Sequence, residues 1–239
     1  MSKRFIVDEN NIDKAENILI VGGEEVHHIN VLRYKIGDKV YINNYELEIQ
    51  SITKDTLVGK VIGNMPKKGE PKVQITLIQS YLKSDKMDYV VQKAVELGAK
   101  NIIPVISKNT VVKLDEKDKM KKKERLTKIA KEAIEQCGRT DNVTIDNVTN
   151  LNNIDFKQYD LILVCHERSN NKLKDIVKNI NDNKNIAVII GPEGGLEQNE
   201  VDNILNKNKN CKDILLGDRV LRAETASFMI LSVLSYELE

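Results

Sequence analysis

The rhythm of hydrophobic and polar positions changes once along this chain, shortly after Asn64. Before it, short apolar runs alternate with turn residues. Arg4 to Val7, Asn17 to Val21, Asp38 to Ile42, Glu46 to Ile52 and Thr56 to Ile62 each have the composition of a strand. Asn43-Asn44 between two of them suits a two-residue hairpin turn, because Asn tolerates positive φ; Lys54-Asp55 is a weaker second turn. Strands this short and closely spaced predict a small β-barrel rather than a layered sheet. Met65 to Pro71 then combines two prolines, a glycine and three charges and reads as a linker.

Past the linker, strands alternate with helical stretches, the pattern of an α/β layer architecture. Val73 to Leu82 is a predicted strand. Asp85 to Leu97 is a predicted helix with Met87, Val90, Val91, Ala94 and Val95 on one stripe and Gly98 at its end. A strand at Asn101 to Ile106 precedes a helix over Glu116 to Cys137, with Leu126, Ile129, Ala130, Ala133, Ile134 and Cys137 inward. Further strands are expected at Val143 to Val148, Asp160 to Val164, Ile186 to Ile190 and Asp213 to Leu216, and helices at Lys172 to Ile180 and Glu197 to Asn206. Leu161 to Val164 and Ile186 to Ile190 are almost wholly apolar, as in a parallel sheet covered on both faces. The last helix, Ala223 to Tyr236, is apolar nearly all round and so belongs in the core or a subunit interface. The expected domains are residues 1–68 and 72–239.

Two strand-to-helix loops carry the candidate chemistry. In Gly191-Pro192-Glu193-Gly194-Gly195, three glycines let backbone approach a ligand, at the strand end where open α/β sheets bind ligands. An ordinary tight turn is the plainer alternative. Neither Gly-x-Gly-x-x-Gly nor Gly-Lys-Ser/Thr occurs, so dinucleotide and P-loop readings fail. The second loop, Leu216 to Ala226, holds Arg219 and Arg222 in a chain with 30 Lys and only 7 Arg. Two arginines so close suggest a need for the planar, bidentate fork that Lys lacks, with capping and surface salt bridges as the alternative.

Charge sharpens one further region. Lys plus Arg is 37 and Asp plus Glu is 36, a net +1, so no overall positive field draws in nucleic acid. Lys113 to Arg139 nevertheless holds ten basic and six acidic residues, among them Lys119, Lys121, Lys122, Lys123, Arg125, Lys128 and Lys131. They either neutralise phosphates or form a solvated helix face. With no Trp, 3 Phe and 7 Tyr, aromatic platforms for stacking bases are sparse. His27, His28 and His166 with Cys137, Cys165 and Cys211 show no zinc spacing, and no metal is expected. No apolar run approaches the ~20 residues of a membrane span, and the first residues lack a signal peptide's apolar stretch. A soluble cytoplasmic protein is expected.

The motifs, taken in order, resemble one family. They are Arg4-Phe5; Glu25-Val26-His27-His28 with Val31-Leu32-Arg33 and Gly37-Asp38; and Lys83-Ser84-Asp85-Lys86-Met87-Asp88 with Gln92 through Gly98. Next come Ile129 through Ala133 with Glu135-Gln136-Cys137-Gly138-Arg139, and then the two glycine loops. This series resembles the ribosomal RNA small subunit methyltransferase E family, of the SPOUT superfamily of knotted methyltransferases. Lys108-Asn109 departs from the family pattern where an arginine is usual. Leu126 departs where a tryptophan is common, and Leu196-Glu197 where an aromatic-plus-Thr cap is common. The resemblance implies a PUA-like RNA-binding barrel and an α/β methyltransferase domain with a C-terminal trefoil knot. It also implies S-adenosylmethionine as cofactor, a homodimer, and methylation of N3 of a uridine in the 16S rRNA of the small subunit. A knot would not be expected from sequence physics.

By the same resemblance the cofactor is held by Glu167, Gly191, Pro192, Glu193, Gly194, Gly195, Leu216, Gly217, Leu221 and Thr225, and RNA by Arg4, His28, Arg33, Lys86, Gln136 and Arg139. Methyl transfer from a sulfonium needs neither metal nor covalent nucleophile, only alignment. Uracil N3 carries a weakly acidic proton, so a base or nearby positive charge must favour the anion. Arg139, Arg222 and Glu224 are the catalytic candidates. The competing reading is a non-enzymatic RNA-binding protein with a degenerate methyltransferase domain, against which both glycine loops are intact. A small-molecule Rossmann-like enzyme would have no use for the barrel.

Overall fold

The computed structural model describes residues 4–64, 70–178, 180 and 184–238; most of the linker at Met65 to Pro71 lies outside the described residues. The described chain separates into two units, residues up to 64 with Glu135–Thr140 and the remainder.

The first unit is a six-stranded sheet built from β1 (Arg4–Phe5), β2 (Ile12–Ala15), β3 (Ile18–Gly22), β4 (Lys39–Ile42), β5 (Tyr45–Ile52) and β6 (Thr56–Asn64). Its order is β1-β4-β5-β6-β3-β2, antiparallel except for the parallel β1–β4 pair. Asn43 has φ 51° and Ile42 faces Tyr45, so Asn43-Asn44 makes the expected hairpin turn. Alternate residues of the strands point inward: Leu19 and Val21, Val40 and Ile42, Leu47 and Ile49 share one core with Phe5 and Leu57. Two elements differ from expectation. Ile12–Ala15 is an edge strand, and Glu24–Val31 is a helix, α1, whose Val26 and Ile29 complete that core. Eight residues with two inward apolar side chains give little helical period to detect.

The second unit contains β7 (Gln74–Ser80), α2 (Lys86–Glu96), β8 (Asn101–Ile106), α3 (Glu116–Cys137), β9 (Thr144–Ile145), β10 (Thr149–Asn150) and β11 (Leu161–Cys165). It continues with α4 (Leu173–Val177), β12 (Asn185–Ile190), α5 (Gln198–Lys207), β13 (Cys211–Ile214) and α6 (Ala223–Leu238). All strand pairs are parallel, in the order β10-β8-β7-β12-β11-β13, with β9 also beside β8. The apolar strands occupy the middle, where Ile186 to Ile190 of β12 lie between β7 and β11 and are buried throughout. Within the strand expected at Val143 to Val148 only β9 forms, and β10 follows just past it.

Helix burial follows the apolar stripes with two corrections. In α3, Leu126, Ala130, Ala133 and Ile134 are buried, but Ile129 is half-buried at the stripe's margin and Cys137 is exposed. In α6 the buried residues are Ala223, Ser227, Ile230, Leu231, Leu234 and Leu238, a regular stripe. The opposite face, Thr225, Met229, Ser232 and Tyr236, is exposed, so the helix is two-sided rather than buried all round. Ser227 donates to Gln79 Oε1 of β7 at 2.5 Å and to the Ala223 carbonyl at 3.0 Å, which seats the start of α6 on the sheet. Beside it Phe228 meets Tyr89 of α2 edge-on, their centroids 5.2 Å apart.

Candidate active site

In a parallel sheet all strands finish on one side, so the loops after β11, β12 and β13 converge. They enclose a cleft of about 880 Å³. That lies within the roughly 300–1,000 Å³ typical of small-molecule sites. Gly191 through Gly195, Leu216, Gly217 and Leu221 line it, as does Glu167 after β11. Arg222 lines the mouth and is exposed. Thr225 is an exposed residue of α6 outside this lining, and Glu224 beside it is largely covered.

The glycine loop is shaped by close approach. A methyl group on Gly191 would lie 2.9 Å from the amide nitrogen of Leu196, and Gly195 has φ +71°, which L side chains rarely adopt. Asn109 pins the far side, its amide donating to the carbonyls of Gly194 at 3.3 Å and Gly195 at 3.2 Å. Lys108 holds the next turn: its ammonium lies 2.6 Å from Glu197, a bond that raises its pKa, and its backbone amide donates to Glu200 at 3.0 Å. Two departures from the family pattern, Lys108-Asn109 and Leu196-Glu197, thus meet each other. Leu196 is buried in the core, and Glu200 accepts the Glu197 amide at 3.1 Å. Asn109 is a cleft residue that the sequence marks only as part of a departure from the family pattern. It sits just past the carboxyl end of β8.

Carboxylates gather at this loop: Glu193, Glu197 and Glu200 cluster at its turn, with Lys108 on Glu197 and Lys86 beside Glu193 balancing part of their charge. Cys165, at the end of β11, also lines the cleft; burial pushes its thiol well above the usual range, which makes it a poor nucleophile.

Lys86 is placed apart from the other RNA candidates. It lines the cleft, with Nζ 3.8 Å from Glu193 and 3.5 Å from Glu224. Arg4 is buried, 3% exposed, and its guanidinium is committed inside the chain. It donates to the Asn43 carbonyl at 2.8 Å, to Thr140 at 3.0 Å, to Asn44 Oδ1 at 3.2 Å and to the Arg139 carbonyl. Arg139 itself is buried and groups with the first unit, while His28, Arg33 and Gln136 are exposed. Among the described residues no group of three or more His, Cys, Asp or Glu is arranged to hold a metal, and no helix is long and apolar enough to cross a membrane.

A parallel α/β unit with a ligand-sized cleft at its strand ends, following a small antiparallel β unit, has counterparts among known proteins. Residues 69–235 match the model of an RNA methyltransferase domain, and residues 21–62 match that of an RNA methyltransferase PUA domain. The molecule is therefore an RNA methyltransferase that carries a PUA domain.

Over its whole length the chain is 34% identical to the ribosomal RNA small subunit methyltransferase E of Bacillus subtilis, of which it covers 98%. It is 30% identical to that of Mesomycoplasma hyopneumoniae, with 96% of this chain and 97% of the relative covered. A Legionella pneumophila methyltransferase solved with bound S-adenosylmethionine superposes with a TM-score of 0.81 at 27% identity, over 99% of this chain and 98% of the other. The chain belongs to the ribosomal RNA small subunit methyltransferase E family.

Proposed function

We propose that this protein methylates N3 of a uridine in the 16S rRNA of the small ribosomal subunit, with S-adenosylmethionine as cofactor. The observation that carries the reading is the cleft between the two glycine loops, in the unit that matches the RNA methyltransferase domain. Its size and its close-approaching backbone at Gly191 fit a nucleoside that bears an amino acid. When bound, that cofactor supplies an electrophilic methyl group on a sulfonium.

The chain's own residues then bind and orient. Backbone at Gly191, Pro192, Gly194, Gly195, Leu216, Gly217 and Leu221 holds the adenosine and methionine parts, with Glu167 and Glu193 around them. Arg222, exposed at the mouth, steadies the negative charge that develops on the uracil as its N3 proton leaves. Glu224 orients the groups at the start of α6, and Arg139, buried in the first unit, supports that unit's RNA surface from within. His28, Arg33 and Gln136 meet the RNA backbone. Arg4 serves that surface indirectly, by fixing β1 to the 139–140 segment.

The proposal includes a homodimer, a trefoil knot and a cytoplasmic location. Supporting the dimer is the exposed face of α6, where Met229 is 38% and Tyr236 83% exposed. Supporting the knot is the strand order, in which β12 inserts between β7 and β11 while β13 passes outside β11. The test has two parts. Calorimetry should detect S-adenosylmethionine binding, and mass mapping of 16S rRNA should show one methyl group that is missing from cells without the gene. Lack of both would favour the non-enzymatic RNA-binding reading.

A further inference from the structure

We propose that Lys86 is a positioning residue that clamps the two cleft loops together through a carboxylate on each. This inference rests on the cofactor reading above. Lys86 opens α2, Glu193 lies in the loop after β12, and Glu224 lies in the first turn of α6, directly after the loop that follows β13. One ammonium therefore ties three segments that are far apart in sequence, with Nζ 3.8 Å from Glu193 and 3.5 Å from Glu224. The Lys83 amide, 3.4 Å from Glu193 Oε1, holds the same carboxylate from the start of the same turn.

The charge balance shows why the clamp matters. The Glu224 side chain is only 14% exposed, and its Oε2 is buried with no hydrogen-bond partner among the described residues. Such a carboxylate depends on its nearby cation. Asp85 and Asp88 of the same turn face Arg125 of α3, and Arg222 is exposed in the adjoining loop. Without Lys86, Glu193 and Glu224 would lose the cation they share, and the covered Glu224 carboxylate would be left without its counter-charge.

The experiment measures affinity for S-adenosylmethionine and for its demethylated product, S-adenosylhomocysteine, by calorimetry. For Lys86→Met we expect roughly tenfold weaker binding of both ligands. Lys86→Arg should stay within about threefold of wild type, since it keeps the cation. Lys86→Met combined with Glu224→Gln removes the uncompensated carboxylate and should restore binding, which also separates the clamp from loss of folding. The clamp is overturned if Lys86→Met binds like wild type, if the double variant fails to recover, or if only the sulfonium-bearing ligand is affected. The last result would mean that Lys86 acts on the cofactor's charge and not on the loops. Wild-type protein that binds neither ligand would defeat the cofactor reading and the clamp with it.

Discussion

Replacing Gly191 with Ala probes the close approach that shapes the cleft. The added methyl would sit 2.9 Å from the Leu196 amide nitrogen, 3.1 Å from the Gly195 carbonyl carbon and 3.2 Å from Leu196 Cγ. Two of these atoms are backbone, and Leu196 is 7% exposed in the core, so no flexible side-chain tip can move aside. The loop must open by several tenths of an ångström. Overpacking of this kind costs about 1–3 kcal/mol. If that cost falls on the bound conformation, affinity for S-adenosylmethionine drops by roughly 5- to 150-fold. Gly195→Ala is the informative partner. Nothing lies within 4 Å of its added methyl, yet φ is +71°, so its cost of about 1–2 kcal/mol is backbone strain in free and bound protein alike. Calorimetric titration reads the affinities and a thermal melt the stabilities. Gly191→Ala should lose the most affinity, and each kcal/mol lost from the fold should lower Tm by about 2–4 °C for a chain of this size. Wild-type affinity in Gly191→Ala would refute the reasoning, because the loop would then not need that approach.

Three further outcomes follow from other parts of the molecule. Changing Lys121, Lys122 and Lys123 of α3 to Glu should weaken association with the small subunit and flatten its salt dependence, by up to about 0.7 in slope for each phosphate of single-stranded RNA no longer neutralised, with cofactor affinity unchanged; an untouched salt slope would make that face merely solvated. Light scattering should find wild-type protein at about 54 kDa, twice the chain's 27.1 kDa, and Met229→Glu should release monomers without methyl-transfer activity, since a charge buried unpaired at an interface costs about 3–5 kcal/mol. Active wild-type monomers would contradict this. Burial, helped by the charge of Asp88, pushes the Tyr81 hydroxyl up from 10.0 to about 12. The folded state thus holds this proton more tightly than the unfolded chain, so its contribution is complete below about pH 10 and disappears as pH rises through about 12. Denaturant titrations should show Tyr81→Phe losing roughly 2–3 kcal/mol less than wild type across that interval; parallel losses would place the titration elsewhere.

Much of this architecture is readable from local pattern because local pattern is what burial selects. β8 spans Asn101–Ile106 and α3 Glu116–Cys137, as their apolar runs and stripes require, and the two-residue turn at Asn43-Asn44 follows from the ease with which Asn adopts positive φ. The two glycine loops were visible for the same reason, since a residue without Cβ at a strand end marks a place where backbone comes close to something. The elements that escaped are those whose stability comes from elsewhere: α1 is only eight residues long and rests on a core supplied by the strands, and the edge strand β2 packs only Ile12 against that core. Pairing and partnership needed the tertiary structure. No periodicity encodes that β12 inserts between β7 and β11, because parallel strands are joined by crossovers whose order is set by how all the layers pack. For the same reason Lys86, Asn109 and Arg4, plain polar residues in the sequence, acquire their roles only through neighbours far along the chain. Lys86 meets Glu193 and Glu224, Asn109 meets the glycine-loop carbonyls, and Arg4 is enclosed by carbonyls that an electrostatic reading of its charge could not have anticipated.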